Sequence, residues 1–451
     1  MAGAYWPRPW SCEDGGPRRW GVPAGQPGLD IRAGEGLEVA AVHQAFATDA
    51  LVRREPGELF ALCHDIPLSG PQAASVEAWV ERLDPETLEV TASTPRLPGG
   101  PFWPGGIAAH ACGDLHMVFG HWAHRLSPQL EVLASHELPV PHPHNSFVVL
   151  DGGELVTKDC DAPRGARPST FSVLDPLNLD RLAPPMTLSE PSIARLSSDG
   201  ESVIAIGTTT AFRLRFDRDS GRLRIDESWR PRYGPEPERS FGWDPVITDE
   251  HVLWMDNGRN RVDHTMLDSG EQSSPLRLWW ARLDDGAVDS VEISGIPYGT
   301  ESNPPAWDPE GEIVVAYDAG NAVVRAWRLR GGELEPLWRR DGLAHAGHLI
   351  VFPDTRELVV GDWRGPKLLR RRLVRAVGRR VLPLFAGSAA ARRAALRTAG
   401  DSLVVLDLDT GAEKARVAVP SPMQGFLFPA PGFDRDLYYQ SLTTIARVAV
   451  T

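Results

Sequence analysis

Imidazole and carboxylate side chains recur in this sequence just before short apolar runs that are followed by a tight turn. When such groups converge in a concave site, they are the ligands that iron, zinc and copper take in proteins. Without a metal, the same groups serve as general acids and bases. The expected divalent-metal ligands are His144, His348, His142 and His345, and the expected catalytic groups are Glu190, Asp244, Glu301 and Asn303.

These residues belong to a repeated pattern, which is clearest over 141–159, PHPHNSFVVLDGGELVTKD. The pattern comprises a polar or small residue, an apolar run, an Asp/Gly turn and a second apolar run. With the strand pair that follows each copy, the pattern recurs at roughly 40 to 60 residues, the period of a four-stranded propeller blade. The sequence therefore predicts an all-β fold, a single β-propeller of about eight four-stranded blades, with seven blades as the alternative.

The two ends of the repeat array are complementary. The last predicted blade lacks an outer strand after Val450, while the strand-like segment Gly36 to Val42 is unassigned. If that segment supplies the missing strand, both ends join one sheet and two exposed edges disappear. The predicted organisation is an N-terminal extension over 1–35 and a propeller over 36–451, with its closing strand at 36–42.

The predicted inner strands line the central channel, so residues at one register meet near the axis although they are distant in sequence. In our alignment the first residues of these strands are almost all polar or small, where a dry core would favour Val or Ile. We expect a small-molecule ligand in this channel. The alternative is structural, because buried polar side chains and water commonly satisfy one another.

One segment, residues 364–400, interrupts the repeats between the two hairpins of the seventh predicted blade. A basic amphipathic helix can lie on an anionic membrane, so 367–385 is an expected peripheral membrane contact. The alternative is a helix packed on the propeller rim with its arginines in water. Four apolar residues of this segment recur at every fourth position and so share one helical face, namely Leu369, Leu373, Val377 and Val381.

Acidic residues recur at the ends of the predicted second strands, at Asp159, Asp256, Asp318 and Asp362. Recurrence in several blades indicates a structural role, because a catalytic residue is needed only once. A carboxylate at this position can accept backbone N–H groups of the following turn.

Composition restricts the class of protein. The 451-residue chain has a formal net charge of −13, which argues against a general nucleic-acid binder. Its first residues lack the basic head and apolar core of a signal peptide. No apolar run approaches the length of a membrane span. We interpret the scattered cysteines, none in CxxC spacing, as reduced thiols of a cytoplasmic protein; they are Cys12, Cys63, Cys112 and Cys160.

The stretches DPEGEIVVAYDAGNAVVRAW and SSDGESVIAIGTTTAFRLRFD resemble blades of quinoprotein-like and gluconolactonase-like propellers. The chain is more loosely similar to carotenoid cleavage oxygenases, propellers with four histidines on an axial iron beside an apolar, membrane-associated entrance. That resemblance implies His144 and His348 as iron ligands and the basic segment as the entrance. In this chain Glu190, Asp244 and Asn303 stand where further histidines belong. The head PHPHNSF resembles the histidine-led strands of aryl sulfotransferases.

Three functional hypotheses follow. The first is an enzyme with a polar, metal-binding site on the axis, an oxidoreductase or oxygenase for an apolar substrate, in which the metal would polarise a carbonyl or activate water or oxygen. The second is a non-catalytic binding or scaffolding propeller that is tethered by its Arg-rich helix. The third is a hydrolase or lyase that uses Glu190 and Asp244 as an acid–base pair.

Overall fold

A computed structural model describes residues 4–23, 25–45, 48–65, 76–160, 167–234, 241–258, 274–301, 303–363, 401–421, 427–441 and 443–451. Within these residues the regular structure consists of strands, numbered here along the chain, and one 3₁₀ turn at Glu13–Gly15. Among the described residues there is no helix long and apolar enough to cross a membrane.

The strands form eight sheets, and the chain is an eight-bladed β-propeller. In seven blades the strands follow in chain order from the axis outward, as antiparallel meanders. The first strand, β1, is Leu37–His43. Blade 1 holds β2 Thr48–Arg53, β3 Leu59–His64, β4 Val76–Leu83 and β5 Val90–Ser93, with β6 Leu97–Gly100 also paired to β4. Blade 2 holds β7 Gly106–Ala109, β8 Leu115–Phe119, β9 Trp122–Leu126 and β10 Val132–Glu137.

The next three blades repeat this order. Blade 3 holds β11 His144–Val149, β12 Leu155–Asp159, β13 Thr170–Leu174 and β14 Met186–Thr187. Blade 4 holds β15 Ser197–Asp199, β16 Ser202–Ile206, β17 Ala211–Asp217 and β18 Arg222–Ile225. Blade 5 holds β19 Val246–Ile247, β20 His251–Met255, β21 Arg277–Arg282 and β22 Val288–Glu292.

The last blades complete the ring. Blade 6 holds β23 Ala306–Asp308, β24 Ile313–Asp318, β25 Val323–Arg330 and β26 Glu333–Asp341. Blade 7 holds β27 Ile350–Phe352, β28 Glu357–Gly361, β29 Asp401–Asp407 and β30 Glu413–Val419. Blade 8 holds β31 Ala430–Pro431, β32 Asp436–Gln440 and β33 Ile445–Val450, with β1 as its outer strand.

The predicted closure is confirmed. Strand β1 pairs antiparallel with β33, so that Leu37 lies opposite Val450 and His43 lies opposite Ile445. The first and last strands thus share one sheet, and neither leaves an open end of the repeat array to solvent. The predicted count of eight blades is also confirmed.

The predicted helical insertion lies outside the described residues. Residues 364–400 connect β28 to β29, as the repeat alignment placed them, but their helical conformation stays a prediction. The predicted turn role of the recurring aspartates agrees with the structure, because each accepts a backbone N–H. The donors are Thr170 N to Asp159, Gly258 and Arg277 N to Asp256, Asn321 N to Asp318, and Ala344 N to Asp362.

Apolar side chains fill the spaces between neighbouring blades. The largest cluster joins blades 5, 6 and 7 around the buried Trp327 and Tyr317, and another joins blades 3 and 4 around Phe212. Inner and second strands are therefore buried on both faces, which explains their continuous apolar runs, such as Ile313–Asp318.

The predicted N-terminal extension is a structural part of the ring. Residues 4–31, which we call the N-terminal plug, run across the inner strands that surround the axis. Backbone carbonyls of the plug accept N–H groups from inner strands of six blades. The pairs are Trp10 O with Arg53, Ser11 O with Ala109, Pro17 O with Ser198, Arg18 O with Ile247, Trp20 O with Trp307, and Gly21 O with Val351.

These bonds define two faces of the ring. The plug contacts the later residues of the inner strands, where first and second strands are joined, and we call this side the plug face. The inner strands begin on the opposite face, and the connections from second to third strands lie there as well, because each blade is a meander.

Candidate functional site on the propeller axis

Six ionisable side chains meet on the axis, three from the plug and three from the approaches to inner strands. All are buried, with at most 6% of each residue exposed. The three ring residues each precede an inner strand by two positions, in blades 4, 5 and 7. The six are Glu13, Asp14, Arg19, Arg195, Asp244 and His348.

Glu13 and Asp244 hold the two guanidinium groups on one side of the axis. Arg195 Nε lies 3.0 Å from Glu13 Oε2, and Arg19 donates to the same oxygen at 3.2 Å. The backbone N–H of Arg195 donates to Asp244 Oδ1 at 2.6 Å, and its Nη1 lies 4.0 Å from Asp244 Oδ2. Each charge therefore has an opposite charge beside it, as buried ions require.

Asp14 joins the plug to blade 7. Arg19 Nη1 donates to Asp14 Oδ2 at 2.6 Å, and His348 Nδ1 lies 2.6 Å from Asp14 Oδ1. Burial raises the pKa of the Asp14 carboxyl, but the charges of His348 and Arg19 and their hydrogen bonds outweigh it and lower this pKa to about 2.

Glu13 also reaches blade 3, where the backbone adopts an unusual conformation to meet it. Ser146 Oγ donates to Glu13 Oε1 at 3.1 Å, and Ser146 has a φ of +95°, which residues with a side chain rarely adopt. Gly106 leaves room for this contact, because a Cβ there would lie 2.1 Å from Ser146 Oγ and 2.6 Å from Glu13 Oε1.

Aromatic side chains cover the charged centre. The Arg195 guanidinium lies 4.4 Å from the centre of the Phe428 ring, and the His348 ring lies 4.3 Å from it. Towards the opposite face, a buried cluster of Cys160, Ile193, Phe241 and Trp243 packs with Trp103. Beside Ser146 and Glu13 the cavity volume is about 10 Å³, room for one water at most. Next to these two residues, the described part of the axis therefore has no space for a ligand larger than water.

Two of the predicted site residues belong to this centre, Asp244 and His348. They face the axis as the repeat alignment required, but plug residues occupy the space between them. Counted from the inner strands, their equivalent in blade 4 is Arg195, whereas our alignment placed Ser192 there. The network is therefore an ion-pair centre.

The predicted pair His142 and His144 lies beside blade 3, where each ring has a local partner. His144 is fully buried and its Nδ1 lies 3.0 Å from the carbonyl oxygen of His142. Burial, together with the nearby charges of Lys158 and His121, outweighs the backbone bonds to His142 and Gly120 and lowers the pKa of His144 to about 3, so the ring is neutral. His142 Nε2 contacts the Arg167 guanidinium.

Glu190 lies in a separate network. Its carboxylate accepts bonds from Thr209 N at 2.8 Å, Thr210 Oγ1 at 2.7 Å and Thr208 Oγ1 at 3.1 Å. Burial raises the pKa of Glu190, but these bonds outweigh it and lower the pKa, so the group is an ionised turn anchor. No hydrogen bond or ion pair among the described residues joins Glu190 to Asp244, and the predicted acid–base pair is not in contact.

Three further predicted site residues form hydrogen bonds in the chain segments that lead into blades 6 and 7. They are Glu301, Asn303 and His345. Glu301 accepts a bond from the backbone N–H of Asn303, and its own N–H donates to Asn257 Oδ1 at 2.8 Å. His345 Nδ1 accepts from Gly361 N at 2.9 Å, and Nε2 lies 3.2 Å from Gly347 O. Burial lowers the pKa of His345 to about 3.

The predicted metal ligands do not form a three-ligand centre among the described residues. Within the described ranges, no three His, Cys, Asp or Glu side chains come together as a metal would require. Both ring nitrogens of His345 face backbone groups, and one ring nitrogen of His348 faces Asp14. These residues do not fit a metal centre with three protein ligands.

Some buried polar atoms at the starts of inner strands have no hydrogen-bond partner among the described residues. Buried polar atoms are nearly always bonded, so ordered water or a small polar molecule is expected to complete them. Among these atoms are Thr48 Oγ1, His144 Nε2, Asp244 Oδ2 and His348 Nε2.

Sequence reasoning missed Glu13, Asp14, Arg19 and Arg195. The only signal was local: a pair of acidic residues and a pair of arginines, CEDGGPRRW, in a Gly-, Pro- and Trp-rich start. Nothing in the spacing of these residues indicates that they reach blades 4 and 7, which are distant in sequence.

Comparisons with known proteins show the fold alone. No protein-family model and no curated protein matches the chain. The quinohemoprotein alcohol dehydrogenase of Comamonas testosteroni is 9% identical with a TM-score of 0.60, covering 99% of this chain and 81% of that chain. The quinohemoprotein alcohol dehydrogenase ADHIIG of Pseudomonas putida HK5 is 9% identical with a TM-score of 0.57, covering 98% and 80%. The predicted resemblance to quinoprotein-like propellers is confirmed.

Proposed function

We propose that this chain is a non-catalytic binding propeller that docks on an anionic membrane through its basic segment, residues 364–400. The observation that carries the proposal is the packed axis. A substrate site needs a concave space with a few free polar groups. On this axis the plug residues Glu13, Asp14 and Arg19 fill that space and pair with the ring. We therefore expect the binding function on the outer surfaces of the ring.

Charge identifies the surface. The segment 364–400 contains eleven Lys and Arg residues and no Asp or Glu, in a chain whose net charge is −13. Each basic residue near an anionic membrane contributes about 1 kcal/mol of attraction, so such a segment binds even a negatively charged protein to it. The strands on either side meet this segment on the opposite face, since β28 ends at Gly361 and β29 begins at Asp401.

Vesicle sedimentation tests the proposal. Full-length protein is expected to sediment with vesicles that contain phosphatidylserine and to remain in solution with pure phosphatidylcholine vesicles. Replacing 367–399 by a Gly-Ser linker is expected to abolish sedimentation while the melting temperature is kept. Equal sedimentation of both proteins would overturn the proposal. Binding to RNA with none to vesicles would point to a different partner.

The matched control replaces a different loop on the face of the ring that carries the basic segment. Residues 259–273 join β20 to β21 and contain two basic and three acidic residues. Replacing them by the same linker is expected to leave vesicle binding unchanged. If the 367–399 variant instead loses stability and keeps its vesicle binding, the segment packs on the rim, and the membrane proposal is wrong.

A second candidate is small-molecule chemistry on the axis, and one observation favours it. His144 Nε2 and His348 Nε2 are buried without hydrogen-bond partners among the described residues, as is expected for atoms that bind a ligand. The two structures named above are alcohol dehydrogenases, but at 9% identity they support only the shared fold. Metal analysis of wild type, His144→Ala and His348→Ala tests the metal version. Equal metal content, or none in any sample, would remove it.

A further inference from the structure

A groove on the plug face, between blades 5 and 6, combines acidic side chains with a buried imidazole. Its volume is about 350 Å³. Its walls come from three turns, two of blade 5 and one of blade 6. The residues that carry the argument are Asp249, Glu250, His251, Arg282, Asp284 and Gly332.

His251 contributes a buried ring nitrogen, Nε2, to the groove. The residue is 4% exposed, and its Nε2 has no hydrogen-bond partner among the described residues. A Cβ on Gly332, which lines the groove, would lie 3.7 Å from this nitrogen, so the missing side chain leaves Nε2 facing the groove. Burial lowers the pKa of His251, and the charge of Arg282 adds to this, while Glu250 and Asp284 oppose it.

The carboxylates of the groove are unequally paired. Asp249 accepts from Arg18 Nη1 at 2.7 Å, and Asp284 is paired with Arg282. Glu250 is exposed, and the part of the chain that the structure describes gives its carboxylate no ion pair. Glu250 and His251 therefore present one unpaired negative charge and one unused acceptor in adjacent positions.

We propose that this groove binds a primary ammonium group, with the Glu250 carboxylate as its counter-ion and His251 Nε2 as a buried hydrogen-bond acceptor. An ammonium carries three N–H donors and no acceptor, which matches the two groups of the groove that lack partners, a carboxylate and a ring nitrogen; Arg282, which also lines the groove, is paired with Asp284. The ammonium belongs either to a lysine side chain of a partner or to a free alkylamine. The charge-assisted bond to Glu250 and the directional bond to His251 together favour such a cation over one without N–H groups.

Isothermal titration calorimetry with the full chain tests this proposal and separates the two sources. The probes are n-butylamine, an acetylated peptide with one lysine, and the same peptide with trimethyl-lysine. Tighter binding of the lysine peptide than of butylamine assigns the site to a macromolecular partner, and the reverse assigns it to a free amine. The trimethyl-lysine peptide is expected to bind at least about tenfold more weakly, because it cannot donate to Nε2.

Variants decide whether the groove is responsible. Glu250→Gln and His251→Phe are each expected to weaken amine binding about tenfold, since each removes one bond to a charged donor. Asp219→Asn, in the turn between β17 and β18 on the same face, is the control and is expected to change nothing. Because Glu250 is exposed, Glu250→Gln keeps the test valid even if His251→Phe fails to fold. No binding heat, unchanged affinity in Glu250→Gln, or equal binding of trimethyl-lysine would each overturn the proposal.

Discussion

Asp14 forms one of the ion pairs that join the plug to the ring. It contacts Arg19 of the plug and His348 of blade 7, and all three side chains are almost fully buried. Removing one partner of a buried ion pair leaves the other partner uncompensated, which is more costly than losing a surface pair. The axis is therefore more sensitive to single charge changes than any exposed pair of the plug.

We expect Asp14→Asn to lower the free energy of unfolding by about 3–5 kcal/mol, as is typical for a broken buried ion pair. The matched control is Asp249→Asn, which removes the exposed partner of Arg18 and is expected to cost about 0–1 kcal/mol. Urea denaturation of the three proteins measures both changes. Equal losses in the two variants would show that the axial pair has no special role.

Buried neutral histidines make the ring sensitive to mild acid. The pKa of His144 is about 3 in the folded chain and about 6.5 when unfolded, so the unfolded state binds the proton first. Its contribution to stability is complete above pH 6.5 and is lost as the pH falls from 6.5 towards 3. At pH 5 the loss is about 2 kcal/mol.

His144→Phe tests this linkage, because the variant has no group to titrate. Between pH 7 and pH 5 we expect it to lose about 2 kcal/mol less stability than wild type. His136→Phe, on the outer strand β10, is the control and is expected to keep the wild-type pH dependence. Denaturation curves at both pH values provide the measurement, and parallel behaviour of all three proteins would contradict the prediction.

At this scale the sequence predicted the chemistry of the axis only in part. Asp244 and His348 were recognised because polar residues are unusual before an inner strand. Arg195 was missed because our alignment placed Ser192, three residues earlier, at the position that Arg195 occupies in blade 4. Glu190 was misplaced with it, and its partners are three consecutive threonines.

The plug is the element that sequence patterns do not show. Strands β1 to β33 follow the alternation of apolar residues and turns, so blade number, strand order and closure were predictable. The plug has no periodicity, because it is held by backbone bonds to the inner strands and by ion pairs to distant residues. Only the folded ring brings those partners together.

We expect a chain that lacks residues 4–31 to have a markedly lower melting temperature, because its backbone bonds to the inner strands of six blades and the axial ion pairs are lost. A synthetic peptide of residues 4–31 is expected to raise the melting temperature in a concentration-dependent way, since a ligand that binds only the folded state stabilises it. The same peptide with Arg19→Ala is the control and is expected to have little effect. Equal rescue by both peptides would show that the axial charges do not hold the plug.

At the scale of the whole molecule, the two proposed binding sites lie on different faces. The basic segment leaves the ring on the opposite face, whereas the Glu250–His251 groove opens on the plug face. A propeller docked on a membrane through the first surface would present the second to the solution. Any effect of binding at one site on the affinity of the other would have to be transmitted through the packed ring.

We therefore expect amine affinity to be the same for free protein and for protein bound to phosphatidylserine vesicles. Calorimetric titration of n-butylamine with and without vesicles measures this, with vesicles alone as the blank. Raising the salt concentration is expected to release the protein from vesicles, because screening shortens the range of the attraction. A change in amine affinity on docking would show that the faces communicate or that the groove faces the membrane.

Ring closure also has a consequence for how the polypeptide acquires its shape. Strand β1 can only be completed by β33, more than four hundred positions later, and the plug needs blades 1 to 7 before its carbonyls find their donors. Contacts at such separations form slowly, since long loops must close first. During synthesis on the ribosome, β1 and the plug residues that bond blades 4 to 7 would wait unpaired until most of the chain has emerged. Chaperone protection during that interval would act on the earliest part of the chain.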